Sequence, residues 1–110
     1  MVITSEELKQ KIDSGEKLIV DMYAEWCGPC RVMGPIIERY AAKMKQEGSD
    51  VSVYKFDIES DKDFAVSLGV RSIPTIKGFS NGQEVITKTG ILQEAQLNDM
   101  ASVLLLKYLS

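Results

Sequence analysis

Two cysteines, the only ones in the chain, stand three positions apart at Cys27 and Cys30. On a helix, residues with this spacing lie about 5 Å apart, which is within the range of Cα separations that a disulfide requires. A disulfide here would close a very small ring, so it would add little stability by restricting the unfolded chain. The spacing therefore indicates thiol–disulfide chemistry more than a structural cross-link.

The residue types that the sequence lacks narrow the chemistry further. Histidine is absent and there is no third cysteine. The sequence therefore has no Cys–His or Ser–His nucleophile pair and no histidine-ligated metal site. Half of a zinc site and the incidental oxidation of two structural cysteines are the alternatives to redox chemistry. Zinc would need two further ligands, and the sequence offers no other Cys or His to supply them.

The elements around the cysteines assign them different roles. Residues 17–24 form an apolar run that predicts a strand buried on both faces, and residues 27–45 follow with helical periodicity. Pro29 suits the first turn of this helix, where a missing N–H does no harm. At the helix N-terminus, free N–H groups and the helix dipole favour a thiolate at Cys27. We therefore expect Cys27 to attack a disulfide and Cys30, one turn further in, to resolve the mixed disulfide.

Asp21 is a carboxylate in the otherwise apolar strand before the cysteines. A buried carboxylate is unfavourable unless it has a partner or a chemical role. Because burial raises the pKa of a carboxyl group toward the range useful for proton transfer, we hypothesise that Asp21 accepts the proton of Cys30. Lys55, on the next predicted strand, could pair with Asp21 and moderate that rise. The alternatives are a structural Asp21 satisfied by hydroxyl groups or water, and a solvated Lys55.

The rest of the chain alternates between helical and strand patterns. A capping box at Thr4 and Glu7 begins a first helix, and Asn81-Gly82 predicts a hairpin turn. Strands are predicted at residues 51–57, 75–79 and 85–88, and helices at residues 60–68 and 93–108. The inner stripe of the last helix is predicted to be Leu97, Met100, Ala101, Leu104, Leu105 and Tyr108. The coarse order β-α-β-α-β-α-β-β-α indicates an α/β protein with a central mixed β-sheet flanked by helices.

Composition is typical of an ordinary globular protein. The 110 residues are 45% hydrophobic and 26% charged, and we expect one domain over residues 1–110. The net charge is −3 and no basic stripe is present, so nucleic acid is not an expected partner. The longest apolar run, residues 103–106, is far shorter than the ~20 residues that span a bilayer, and no membrane association is expected. Residues 1–7 lack the features of a secretory signal.

Several motifs fall in register with one family. They are Val20-Asp21, Ala24-Glu25-Trp26-Cys27-Gly28-Pro29-Cys30, Pro35, Lys55, Ile73-Pro74-Thr75, Asn81-Gly82 and Gly90. On these residues the chain resembles the thioredoxin family over almost its whole length. The resemblance implies a thioredoxin fold whose active site lies at the start of the second helix. It also implies that Cys27 is the exposed nucleophile, that Cys30 is the resolving thiol and forms the Cys27–Cys30 disulfide, and that Asp21 is the buried proton acceptor near Lys55.

The same resemblance implies a substrate surface beside the cysteines. Pro74 would follow a cis peptide bond and lie against the disulfide, although composition alone favours trans, since only about 5–6% of X–Pro bonds are cis. The residues that would line the surface for extended peptide segments are Trp26, Gly28, Pro29, Ile73 and Gly90. A packed aromatic role for Trp26 and a purely backbone-turn role for Gly90 are the alternatives.

The activity implied by the resemblance is general reduction of protein disulfides in a reducing compartment, expected to be the cytoplasm. Gly28-Pro29 between the cysteines resembles the reductant branch of the family. No cofactor is expected to bind, and electrons would come from NADPH through a thioredoxin reductase. The expected partners are that reductase and disulfide-containing client proteins, and a monomer is the default. The rival interpretations are a donor dedicated to one client enzyme and a redox-independent binding subunit.

One segment departs from the family pattern. After Pro74, where the family has a run of large apolar residues, the sequence continues with Thr75-Ile76-Lys77-Gly78-Phe79. A lysine and a glycine in an interior strand predict weaker packing or a bulge. We expect Lys77 to extend its ammonium toward the edge of the sheet. Neither residue bears on the sulfur chemistry.

Overall fold

The computed structural model describes residues 1–106. Its elements, in chain order, are α1 (Ser5–Asp13), β1 (Leu18–Tyr23), α2 (Gly28–Gln46), β2 (Ser52–Asp57), a 3-10 turn (Ile58–Ser60), α3 (Lys62–Ser67), β3 (Thr75–Ser80), β4 (Gln83–Thr89) and α4 (Glu94–Leu105). The predicted alternation of strands and helices is confirmed from the first helix onward. Tyr108, predicted on the last helix, lies outside the described residues.

The four strands form one mixed sheet in the order β2-β1-β3-β4. β1 pairs parallel with β2, whereas β1 with β3 and β3 with β4 are antiparallel. The sheet is thus mixed, as predicted, with β1 in its interior beside the strand that carries Lys55. The first strand of the predicted order is reduced to a single parallel bridge between Val2 and Lys55, because the capped helix α1 begins only three residues later.

Side-chain alternation along β1 gives the sheet two apolar faces. Ile19 packs in a cluster with α2 and α4, whereas Leu18, Val20 and Met22 pack in a second cluster with α1, α3 and Phe56. Asp21 and Tyr23 share the parity of Ile19, so their side chains point toward α2. The face that receives Asp21 is therefore the one covered by the helix that begins beside the cysteines.

Local signals in the sequence account for several element boundaries. Thr4 and Glu7 form the predicted capping box, with N–H to oxygen distances of 2.9 and 3.1 Å. Asn81 and Gly82 have φ values of 56° and 79°, as a tight hairpin turn requires. The N-cap of α3 is Asp61, one position after the predicted start of this helix at residue 60, because the Asp61 carboxylate accepts the N–H of Phe64.

The departure at Lys77 and Gly78 is a bulge, as predicted. The pairing of β3 with β4 shifts register between Gly78 and Phe79. A Cβ at Gly78 would lie 2.8 Å from Ile86 and 3.3 Å from Leu104, so this close approach requires glycine. Lys77 is buried and its Nζ donates to Glu84 Oε1, 2.6 Å away on the edge strand β4. The expectation that Lys77 extends to the edge of the sheet is confirmed.

The last helix packs as predicted at Leu97, Met100, Ala101 and Leu104, which are all buried. Leu105, also predicted on the inner stripe, is exposed, because it lies one position past Leu104 and so on the outer side of the final turn. Within residues 1–106, no helix combines the length and the hydrophobicity needed to cross a membrane.

Candidate active site

The two cysteines lie where the chain leaves β1 and enters α2. Cys27 is the N-cap residue of α2, and Pro29 lies in the first turn, where its ring fits the helix. The Cys27 Sγ accepts the backbone N–H of Cys30 at 3.2 Å. The two sulfurs are joined in a disulfide, with their Cα atoms 5.2 Å apart. The predicted strand-to-helix placement of the motif is therefore confirmed.

Both cysteines are buried in the oxidised form. Cys27 is 5% exposed and Cys30 is 4% exposed, so the expectation that Cys27 is the exposed one is wrong for this state. Its sulfur is covered because it lies 3.8 Å from the carbonyl oxygen of Ile73 and packs with Ala24. The difference between the cysteines lies in position: Cys27 caps the helix, whereas Cys30 is inside its first turn.

Trp26 is on the surface beside Cys27. Its side chain is 65% exposed, so it is not a packed core aromatic. The indole Nε1 donates to Glu59 Oε1 at 3.1 Å, which ties the loop before α2 to the 3-10 turn. Glu59 was not singled out in the sequence, since the pairing joins segments 33 positions apart. Gly28 and Pro29 are also exposed, next to Trp26.

The loop before β3 lies against the disulfide. The Ile73–Pro74 peptide bond is cis, as the resemblance implies. Gly90 donates its N–H to the carbonyl of Pro74 at 2.9 Å, and its φ of 87° lies in the left-handed region that favours glycine. Ile73, Pro74 and Gly90 are thus brought together beside Cys27, although they are distant from it in sequence.

Asp21 is fully buried on the face of the sheet that α2 covers. In the described part of the chain, neither of its carboxylate oxygens has a hydrogen-bond partner. Burial raises the pKa of Asp21 to about 7, the positive charge of Lys55 opposes this rise, and the negative charge of Glu38 adds to it. Such a carboxyl can both hold and release a proton near neutral pH.

Lys55 is next to Asp21 in the sheet but is paired elsewhere. The two residues are register partners in β1 and β2. The Lys55 Nζ donates to Glu38 Oε2 at 2.9 Å and lies 4.7 Å from the centroid of the Tyr23 ring. The predicted Asp21–Lys55 pair is therefore replaced by a Lys55–Glu38 pair. Glu38 can accept the ammonium at lower cost, because its side chain is 55% exposed and keeps much of its hydration.

Glu38 and Tyr23 are the functional candidates that the sequence did not reveal. Glu38 follows Cys30 by eight positions, a spacing that places both on one face of α2. Tyr23 follows Asp21 by two positions and so shares its face of β1. These spacings are the only hints in the sequence. Neither one predicts that the Lys55 side chain contacts both Glu38 on α2 and Tyr23 on β1.

A groove of about 530 Å³ opens beside Cys30. Its lining includes Cys30, Arg31, Gly34, Glu38, Lys55 and Tyr23. The groove runs from Cys30 to the Lys55–Glu38 pair. Among residues 1–106, no cluster of three or more His, Cys, Asp and Glu side chains could hold a metal ion.

A dithiol at the start of a helix, on a mixed sheet with helices on both faces, defines a thiol–disulfide oxidoreductase. Its exchange reaction needs no bound cofactor, because the two sulfurs carry both electrons. Comparison with known proteins agrees. A thioredoxin family model matches residues 1–102 of the chain. The chain belongs to the thioredoxin family.

Individual relatives support the same assignment. The chain is 38% identical over 91 residues to thioredoxin from Rickettsia felis, covering 83% of this chain and 84% of that protein. It is 38% identical over 88 residues to protein disulfide-isomerase from Oryctolagus cuniculus, covering 80% of this chain and 17% of that longer protein. Its fold matches the crystal structure of Malassezia sympodialis thioredoxin with a TM-score of 0.80 and 28% identity, covering 92% of this chain and 89% of that one.

Proposed function

We propose that this oxidoreductase works as a reductant of protein disulfides, with Cys27 as nucleophile and Cys30 as resolving thiol. The observation that carries the proposal is the position of the Cys27 Sγ at the N-cap, where it accepts the N–H of Cys30 at 3.2 Å. That hydrogen bond and the helix dipole both stabilise negative charge on sulfur.

The exchange proceeds in two displacements. The Cys27 thiolate attacks one sulfur of a client disulfide, a new S–S bond forms, and the other client sulfur leaves as a thiolate and takes up a proton. The Cys30 thiol then gives its proton to Asp21 and attacks the Cys27 sulfur. The mixed disulfide breaks, the second client sulfur leaves as a thiolate and takes up a proton from water, and the Cys27–Cys30 disulfide retains the two oxidising equivalents.

The assignment of Asp21 as proton acceptor is supported by its burial and its lack of a partner. A carboxyl group with a pKa of about 7 is matched to proton transfer at neutral pH. Lys55 then acts through its positive charge, which keeps part of the Asp21 population ionised. Because Lys55 is paired with Glu38, its charge acts on Asp21 without a direct ion pair.

The proposed client surface consists of the groups around the Cys27 sulfur. Trp26 provides an exposed aromatic face. Ile73 provides a half-buried apolar side chain, and its carbonyl oxygen approaches the Cys27 sulfur. An extended client segment could lie across them. The remaining members of this surface are Gly28, Pro29, Pro74 and Gly90.

The proposed electron source and compartment follow from the proposal that the protein reduces its clients. Electrons would pass from NADPH through a thioredoxin reductase to the Cys27–Cys30 disulfide, in the cytoplasm, with the chain acting as a monomer. The relatives named thioredoxin, such as that of Rickettsia felis, support this setting by similarity.

The test is NADPH-dependent reduction of a model protein disulfide in the presence of a thioredoxin reductase. The wild-type chain should turn over many equivalents of NADPH. Cys27→Ser should abolish reduction, and Cys30→Ser should accumulate a mixed disulfide between Cys27 and the client. Full activity of the Cys27→Ser variant would contradict the proposal, as would the same mixed disulfide forming at Cys30.

A further inference from the structure

The ammonium of Lys55 does not form an ion pair with the carboxylate of Asp21, although the two residues are register partners in the sheet. Lys55 and Asp21 are partners across β1 and β2, on the same face of the sheet. The Lys55 Nζ nevertheless donates to Glu38 at 2.9 Å and lies over the ring of Tyr23. In the described residues, both oxygens of Asp21 are left without a hydrogen-bond partner.

We propose that Glu38 is a positioning residue for the exchange reaction: its carboxylate holds Lys55 at the mouth of the groove, so that Asp21 stays an unpaired base for Cys30. This inference rests on the proton-acceptor role of Asp21 proposed above. Tyr23 supports the same placement, since a cation over an aromatic face is attracted to it.

The geometry of α2 brings this pair close to the sulfur. Cys30, Gly34 and Glu38 follow one another at intervals of four positions, so they lie along one face of the helix. A Cβ built at Gly34 would be 3.6 Å from the Lys55 Nζ and 3.9 Å from Glu38 Oε2. The Lys55–Glu38 pair therefore packs directly over Gly34, one turn of helix from Cys30.

The charged and titratable groups around Asp21 come from three elements. They are Tyr23 on its own strand, Lys55 on β2 and Glu38 on α2. On the other side of β1, the register partner of Asp21 in β3 is the apolar Ile76. Lys55 is the cation of this group, and Glu38 is its hydrogen-bonded anion.

Loss of the Glu38 carboxylate would lower the pKa of Asp21 in two ways. A negative charge that raises the pKa of Asp21 disappears, and Lys55 is freed to form the ion pair with Asp21. An adjacent cation lowers a carboxyl pKa by about 1–3 pH units. Asp21 would then be ionised at a lower pH but would be a weaker base.

The experiment measures two quantities in the same set of variants. One is the titration of the Asp21 carboxyl carbon by NMR, and the other is the pH profile of mixed-disulfide resolution by Cys30. The variants are Glu38→Ala, Lys55→Met and the double variant. Glu47→Ala is the matched control, because it removes the same charge from the exposed C-terminal end of the same helix.

In Glu38→Ala the midpoint of the Asp21 titration should fall by about one pH unit. Resolution should become faster below pH 6.5 and roughly threefold slower at pH 8, as expected for a weaker base with a Brønsted slope near 0.5. Glu47→Ala should leave both readouts unchanged. In the Lys55→Met background, Glu38→Ala should move the Asp21 titration by less than about a third of that shift.

An unchanged Asp21 titration in Glu38→Ala would overturn the inference. An equal shift with and without Lys55 would also overturn it, since Glu38 would then act by its own charge alone. If the Asp21 titration shifted as expected but the pH profile of resolution did not, the positioning of Lys55 by Glu38 would be supported. The proton-acceptor role of Asp21 would then be the part that fails.

Discussion

Two buried charged residues, Asp21 in β1 and Lys77 in β3, occupy neighbouring interior strands of the same sheet. Both are at most 3% exposed. Lys77 donates to Glu84 at 2.6 Å and to Thr87 at 3.3 Å, on the strand at the sheet edge. Asp21 lies on the opposite face, toward α2 and Cys30, and its oxygens accept no hydrogen bond from the described residues.

This difference in hydrogen bonding suits Lys77 to a structural role and Asp21 to a chemical one. A buried charge is tolerated when hydrogen bonds and an opposite charge compensate for its lost hydration, as at Lys77. An uncompensated carboxylate instead stays protonated until its pKa is reached, so it can exchange a proton with a neighbouring thiol. Burial of a charged side chain alone therefore does not indicate a chemical role in this sheet, whereas a buried carboxylate without a hydrogen-bond partner makes Asp21 a candidate for one.

The largest expected difference between the two residues is in stability. A carboxyl whose pKa rises from 3.8 to about 7 on folding destabilises the folded state by roughly 4 kcal/mol once both states are ionised. Between about pH 4 and pH 7 the folded state binds more protons, so this contribution makes stability fall as pH rises. Asp21→Asn should therefore stabilise the protein by a few kcal/mol at pH 8 and only slightly at pH 4.

Urea unfolding of the oxidised protein at a series of pH values measures this dependence. The matched control is Lys77→Met, which should leave the decline of stability between pH 4 and pH 7 in place. A pH dependence that is the same for the wild-type and Asp21→Asn proteins would show that Asp21 is compensated after all.

The second prediction concerns rate. Asp21→Asn removes the proposed proton acceptor of Cys30 and should slow resolution of the mixed disulfide by about a hundredfold at pH 7, the lower end of general-base effects. Lys77→Met should leave the rate within about twofold of wild type. Stopped-flow measurement of client release from a preformed Cys27 mixed disulfide compares them. Equal rates in all three proteins would remove Asp21 from the mechanism.

The third prediction tests the packing that surrounds Lys77. Gly78→Ala places a methyl group 2.8 Å from Ile86 and 3.3 Å from Leu104, so it should destabilise the fold by about 2 kcal/mol. Gly34→Ala is the control, because its new methyl group would make only ordinary contacts in a helix interior. Thermal unfolding of the two variants should move in opposite directions. Unchanged stability in Gly78→Ala would show that β4 and α4 adjust freely at the bulge.

The smallest effect is expected from Lys77→Leu. Burial raises the pKa of Glu84, but the hydrogen bonds from Lys77 and Thr87 outweigh this and hold it below its usual range. Because Glu84 is partly exposed, it can be solvated when Lys77 is lost. We expect Lys77→Leu to raise the free energy of unfolding by less than about 1 kcal/mol at pH 7. A clear loss in urea unfolding would show that the pair is a net source of stability.

Local features of this protein could be predicted from its sequence. The Cys27–Cys30 spacing, the capping box at Thr4 and the Asn81-Gly82 turn each depend on interactions within four residues, and each is found in the structure. The burial of Asp21 also followed from its place in an apolar strand. These features need only the periodicity of the element in which they lie.

Local patterns in the sequence could not predict two features that join distant segments. The Lys55–Glu38 pair depends on how α2 lies across β2, and the covering of Cys27 depends on where Ile73 returns to the site. Several partners were available to Lys55, and only the packed structure decides among them. The prediction of a strand before the first helix is wrong for a similar reason. Only Val2 pairs there, and its single bridge to Lys55 is set by tertiary contact and not by local preference.

We propose that Cys27 is the nucleophile because its sulfur caps α2, whereas Cys30 lies inside the first turn of that helix. Alkylation of the fully reduced protein across pH 5–10, with each cysteine quantified by peptide mass spectrometry, tests it directly. Cys27 should react at a lower pH and much faster than Cys30. Equal rates and equal pH dependence for the two thiols would contradict the claim.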